Sequence, residues 1–266
     1  MSNIEQITED IFVLTDLVPI DGRVSWIPPG VKGFEPHNSY VILSDDRALL
    51  IDTGVAAREQ SLLGSLCELI GDRRLFIFIT RIELDCLGNL ARILEAIPGT
   101  QVITSNVVPL FSLIHGVETT PPALPPRRIL IGNTLADAGF PRLKIYEAAI
   151  RTLGSTWLWD EKSGTLFTTD IFNTDMLTDP AQSVLHREDE ESQSPQTMRE
   201  FILQKFDWLE FADTSKLAAN WDRFFFQIHP SIVAPIHGRI QVGQAAQRAI
   251  DRYGKAVFAL QTEQVG

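Results

Sequence analysis

The stretch Leu75-Phe76-Ile77-Phe78-Ile79-Thr80-Arg81-Ile82-Glu83-Leu84-Asp85-Cys86-Leu87-Gly88-Asn89 holds the strongest signal in the chain. Its opening residues are apolar without alternation, which is the pattern of an interior strand covered on both faces. Where the strand ends, the chemistry changes at once. Arg81, Glu83 and Asp85 fall at every second position, and Cys86 follows. Open α/β proteins bind ligands at the carboxyl ends of their strands, so this cluster is the first candidate site. A strand-ending acid taken alone is more often a turn or cap residue.

Three more polar spots end hydrophobic strands: Asp52 in Leu-Ile-Asp-Thr-Gly, Asp170 in Leu-Phe-Thr-Thr-Asp, and His237 in Ala-Pro-Ile-His-Gly. Around them the pattern predicts strands over 11–18, 39–44, 47–51, 102–104, 128–131, 142–147, 156–159, 165–169 and 232–235. Helices are predicted over 57–70, 90–96, 107–114, 197–210, 215–227 and 241–253. Residues 23–38, rich in Pro and Gly, read as a long loop, 119–126 as a proline-rich connector, and 187–196 as a solvated acidic loop. Each half supplies strands first and helices later, as two βα layers would.

Bulk properties remove several function classes. The chain has 266 residues, a formal charge of −11 and a pI near 4.9. It would repel nucleic acid and anionic membrane surfaces, and no basic run interleaved with aromatics offsets this. Cys67 and Cys86 form no C-x-x-C pair, so dithiol redox motifs and zinc knuckles are excluded. Cys67 is expected to pack into the core beside Leu63, Leu66 and Ile70. No secretory h-region or membrane-length apolar run is present, which predicts a cytoplasmic protein.

Taken in order, these spots resemble the landmarks of the metallo-β-lactamase superfamily, most closely the oxygen-binding diiron domain of flavodiiron proteins. Hydrolases of that superfamily carry H-x-H-x-D-H after the second landmark strand, and the flavodiiron branch carries H-x-E-x-D-H-x-G. Here the same places read Arg81-Ile82-Glu83-Leu84-Asp85-Cys86-Leu87-Gly88, with the branch-specific glutamate kept. The third landmark histidine falls at Arg151, the fourth landmark acid at Asp170 and the fifth at His237 in His-Gly. Asn38 to Ile42, before the Asp52 strand, also looks like the family. The resemblance covers roughly residues 5–250. It implies an α/β fold, the αβ/βα sandwich of two mixed β-sheets packed face to face with helices outside. The expectation is one such domain over 1–266, with no flavodoxin domain in the chain and hence no FMN.

In the family one iron is held at the places of 81, 83, 151 and 170, and the other at 85, 86, 237 and the bridging 170. This sequence retains Glu83, Asp85, Asp170 and His237, and puts Arg81, Cys86 and Arg151 where the family has histidines. Arginine stays protonated and has no lone pair to give, so neither arginine ligates. The resemblance therefore implies no metal, or one divalent ion (zinc or iron) at Asp85, Cys86, Asp170 and His237; two irons are not expected. Guanidinium groups form bidentate hydrogen bonds to carboxylates, so Arg81 and Arg151 are expected to bond Glu83, Asp170 or both.

Three functions follow from the resemblance. The first is a degenerate flavodiiron-like protein acting as a binding or assembly partner, homodimeric or associated with an intact relative. The second is a mononuclear metal-dependent hydrolase, and the third an O2- or NO-reducing diiron protein fed by a separate flavoprotein.

Overall fold

A computed structural model describes residues 3–22, 24–105, 126–150, 154–187, 194–214 and 216–263. The helix predicted over 107–114, nearly all of the proline-rich connector, and Arg151 lie outside these residues. The described strands are β1 (Asn3–Gln6), β2 (Ile11–Pro19), β3 (Phe34–Leu43), β4 (Arg47–Ile51), β5 (Arg74–Ile79), β6 (Gln101–Thr104), β7 (Arg127–Arg128), β8 (Thr134–Leu135), β9 (Phe140–Glu147), β10 (Thr156–Asp160), β11 (Thr165–Thr169), β12 (Leu185–His186), β13 (Ile232–Pro235) and β14 (Ile240–Val242). The helices are α1 (Glu59–Ile70), α2 (Leu84–Leu87), α3 (Leu90–Ala96), α4 (Pro195–Lys205), α5 (Leu217–Gln227) and α6 (Gln244–Glu263). The strands form two seven-stranded mixed sheets, ordered β1-β2-β3-β4-β5-β6-β7 and β12-β14-β13-β11-β10-β9-β8. This is the αβ/βα sandwich class expected from the sequence. Among the described residues, no helix is long and apolar enough to cross a membrane.

The chain packs as two compact units, one of Met1–Asp16, His37–Glu147 and Leu153–Trp159, the other of Leu17–Pro36, Ala148–Thr152 and Asp160–Gly266. In the first unit β5 runs parallel between β4 and β6, with Leu50 opposite Ile77 and Ile77 opposite Val102. Leu75 to Ile79 are all buried, as the unbroken apolar run required. Each fully buried aliphatic side chain of this kind contributes about 1.5–3 kcal/mol. On α1 the buried residues are Leu62, Ser65, Leu66 and Ile70. Cys67 is exposed, contrary to expectation, because the buried stripe runs through Leu62, Leu66 and Ile70 at four-residue spacing, and Cys67, next after Leu66, is turned about 100° from it.

In the second unit α6 packs against α4 and α5. Ser194 caps α4 by accepting a bond from the Thr197 amide at 3.1 Å, and Pro195 occupies the first turn, so the helix starts inside the predicted loop. α6 continues ten residues past its predicted end at Tyr253, through Gly254, to Glu263. Gly254 is a packing choice and not a stop: a Cβ there would lie 3.0 Å from Trp221 Nε1. β3 likewise begins within the predicted loop, because Phe34 exchanges backbone bonds of 2.8 and 3.0 Å with Leu177.

Candidate functional site

In the first unit, the ends of β4 and β5 are tied together by Asp52. Its carboxylate accepts from the Thr80 amide at 2.9 Å and the Thr80 hydroxyl at 2.6 Å. Burial pushes the Asp52 carboxyl up from 3.8 to about 7, against the opposing pull of the Thr80 bonds and the Arg81 charge. Asp52 also sits at φ +58°, a left-handed conformation that a non-glycine residue holds only when its surroundings enforce it. The next residue, Thr53, donates both its amide and its hydroxyl to the Cys86 carbonyl at 2.8 Å. Asn89 then donates to the carbonyls of Thr53 and Val55 at 2.6 and 3.1 Å. Gly88 is needed at this crossing, since a Cβ there would come within 2.6 Å of both the Ala56 nitrogen and the Gly54 carbonyl oxygen.

Those contacts hold the loop of Arg81 and Glu83 and the first turn of α2, which carries Asp85. Arg81 is fully buried, and its two terminal nitrogens go to different acids: Nη1 to Glu83 and Nη2 to Asp85. Asp85 is 11% exposed and Glu83 33%, so the clamp opens toward solvent on the glutamate side. The expected arginine–carboxylate bond is therefore present for Glu83, while Arg81's second partner is Asp85. Cys86 is fully buried. Among the described residues, Glu83 and Cys86 stand in no group of three or more His, Cys, Asp or Glu ligand atoms within 4.8 Å of one another.

In the second unit, Asp170 follows β11 and His237 follows β13, and these two parallel strands bring the residues together. His237 Nε2 lies 4.0 Å from Asp170 Oδ1, and His237 Nδ1 lies 3.7 Å from Glu35 Oε1; both are beyond hydrogen-bond range. Trp26 closes the group. Its indole donates to Glu35 at 2.7 Å, and its ring is 5.0 Å from that of His237. The backbone at Thr169 (φ +55°) and Phe172 (φ +72°) is held left-handed on either side of Asp170. Gly238, at φ +87°, donates its amide to the Pro36 carbonyl at 2.9 Å, which holds the residue after His237 in place.

A residue that sequence reasoning missed carries the charge balance here. Lys205, at the last turn of α4, puts Nζ 2.9 Å from Asp170 Oδ1, with Asp170 buried and the lysine side chain 9% exposed. The same ammonium stands 4.2 Å from the Trp26 ring centroid, a cation–π contact. In sequence, Lys205 falls inside the helix predicted over 197–210, where nothing local sets it apart from a solvated charged face. Trp26 and Glu35 were likewise hidden, inside a segment read as loop. No local signal links any of the three to Asp170.

No protein-family model matches the sequence, and no curated protein does. Solved structures do. The chain is similar to rubredoxin oxygen:oxidoreductase from Desulfovibrio gigas, with 18% identity and a TM-score of 0.70 over 96% of this chain and 62% of that one. It thus spans less than two thirds of that protein's length. A 1–254 fragment of diflavin flavoprotein A 5 from Nostoc sp. PCC 7120 matches at 15% identity and a TM-score of 0.74, covering 100% and 98%. A metallo-β-lactamase from Pontibacter korlensis matches at 15% identity and a TM-score of 0.63, covering 97% and 99%. Identities this low carry the fold and not the activity. The chain therefore has the metallo-β-lactamase superfamily fold, in the form close to the diiron domains of flavodiiron proteins.

Proposed function

We propose that this protein is a degenerate flavodiiron-like core without a conventional diiron site, acting as a binding or assembly partner. One observation carries this reading: three of the four retained landmark residues have one of the protein's own cations bound to them. Arg81 bonds Glu83 and Asp85, and Lys205 bonds Asp170. Clustered carboxylates in a poorly hydrated setting need compensating charge, and metal ions or buried basic side chains both supply it. Neither a guanidinium nor an ammonium group has a lone pair to offer an ion. The residues present therefore do not fit the two-iron set of flavodiiron cores. A mononuclear hydrolase is disfavoured by the same contact, since Lys205 already occupies the Asp170 oxygen nearest His237. By analogy with flavodiiron proteins, whose cores pair, the reading includes self-association as a homodimer.

Metal analysis of protein purified without chelator tests this. The expected result is far less than one equivalent per chain. About two irons would overturn the proposal in favour of a diiron protein, and about one zinc or iron would overturn it in favour of the hydrolase. Light scattering on the same sample is expected to give a dimer.

A further inference from the structure

Just past α4, within the second unit, the chain forms a short 3-10 helix over Asp207–Phe211. It is closed by backbone bonds from the Leu209 amide to Phe206 at 2.9 Å and from the Ala212 amide to Leu209 at 3.4 Å. A 3-10 helix has three residues per turn, so side chains at i and i+3 eclipse and stand in columns. Each column here has its own chemistry. Phe206 and Leu209, both 2% exposed, make the first and fasten the turn to the core. Asp207 and Glu210 make the second and are exposed, as is Asp213 at the next place in that register. Trp208 and Phe211 make the third, at 43% and 87% exposure.

Two large apolar side chains sharing one exposed column differ from the scattered single ones that any surface carries. Phe206 and Leu209 already anchor the turn, so the packing of this chain does not account for the aromatic pair. Aromatic side chains are enriched at the centres of protein interfaces, where they bury a large area each. The neighbouring column sets the charge of what covers them. From Asp207 to Asp213 the chain carries three acids and no lysine or arginine. The Asp207 carboxylate accepts the Trp208 amide at 2.8 Å, which fixes it next to the aromatic column. A second copy of the chain is the wrong occupant. In a two-fold interface the patch meets itself, which would set acid against acid on molecules of net charge −11.

We propose that this face docks a basic amphipathic helix of another protein. Three residues of 3-10 helix rise about 6 Å, and so do four residues of α-helix, so each column matches partner positions spaced i, i+4. Apolar side chains at one such pair cover Trp208 and Phe211, while Lys or Arg at the adjacent pair meet Asp207 and Glu210. This supplies the partner chemistry for the binding role proposed above, and it rests on that reading for its purpose.

Fluorescence anisotropy with a labelled helical peptide of about 15 residues tests the assignment. The peptide is built on alanine, with leucine at i and i+4 and arginine beside each. One twin carries glutamine for the leucines, and another carries glutamate for the arginines. The leucine–arginine peptide is expected to bind the whole chain saturably, and each twin at least about tenfold more weakly. Phe211→Ser should weaken binding by about tenfold and leave the melting temperature unchanged, since this side chain is almost wholly exposed. Asp207→Asn with Glu210→Gln should weaken it as well, and the asparagine still accepts the Trp208 amide. Glu68→Gln with Asp72→Asn removes the same charge from exposed positions at the end of α1 and should leave binding unchanged. Absence of saturable binding, a twin that binds equally well, or the same loss in the Glu68 and Asp72 variant overturns the proposal. A dimer that Phe211→Ser converts to monomer also overturns it, because the occupant is then a second copy. Failed binding by a metal-free chain removes this face and leaves the proposed function standing. Two irons on a chain that still binds the peptide would do the reverse.

Discussion

Arg81 and Lys205 hold landmark carboxylates in two different ways. Arg81 reaches acids two and four residues ahead, Glu83 in the loop and Asp85 in the first turn of α2, so its clamp closes within a short piece of chain after β5. Lys205 comes to Asp170 from the far end of α4, and it needs Trp26, from a distant segment, as a second face. The chemistry differs as well. The guanidinium is a planar fork that spreads over two acids, whereas the ammonium is a point charge pressed against one. In the first cluster the cation is sealed from solvent and its partners are partly open, whereas in the second the acid is sealed and Lys205 keeps a little exposure. A local clamp can form as soon as its loop does. The other exists only once the second unit has packed.

Substitutions can break or sharpen this contrast. Arg81→Ala is expected to have the largest effect, a loss of about 3 kcal/mol by urea unfolding, because two carboxylates lose one shared cation. Solvent access to Glu83 keeps the loss at the low end of the range for buried pairs. Lys205→Met should cost about 2 kcal/mol, since the aliphatic packing survives and only one acid is left behind. If Lys205→Met proved the more damaging, the ranking of the two clusters would be reversed.

A pH series sharpens the view of the first cluster. Asp52 in the folded protein titrates near 7, above its ordinary 3.8, so the folded state retains a proton that the unfolded chain has released. Stability from this group is full below the unfolded value, falls as pH rises toward about 7, and is flat beyond. Between about pH 6 and pH 8 the loss should be about 1 kcal/mol, and Asp52→Asn should remove it. Because Arg81 lowers the Asp52 value, Arg81→Ala should move the falling region to higher pH. Urea midpoints across pH measure both.

The smallest effect is expected when the local clamp is removed as a unit. Arg81→Leu combined with Glu83→Gln and Asp85→Asn should come within about 1 kcal/mol of the wild type, since no unpaired charge remains. A triple variant as unstable as Arg81→Ala alone would mean that Arg81 acts through packing and not through charge.

The sequence alone was enough for β5, β11 and β13, whose apolar runs are set by local side chains and end where the polar spots begin. It was also enough for Arg81 facing Glu83, because residues two apart past a strand end share one short loop. β12 and β14 are too short to show a period, and they are set by pairing, β14 on β13 and β12 on β14. The sequence pattern ends α6 ten residues too early, and only packing shows Gly254 inside the helix, with Trp221 Nε1 3.0 Å from where a Cβ would be. Lys205 on Asp170 and His186 on Asp175 join residues with no periodic or motif relation. Hydrophobic period and loop spacing are local and survive in one dimension, so strand identity and the first charge clamp could be read from the chain. The Lys205–Asp170 and His186–Asp175 pairs depend on which distant side chains packing brings to a buried charge, and only the tertiary structure decides that.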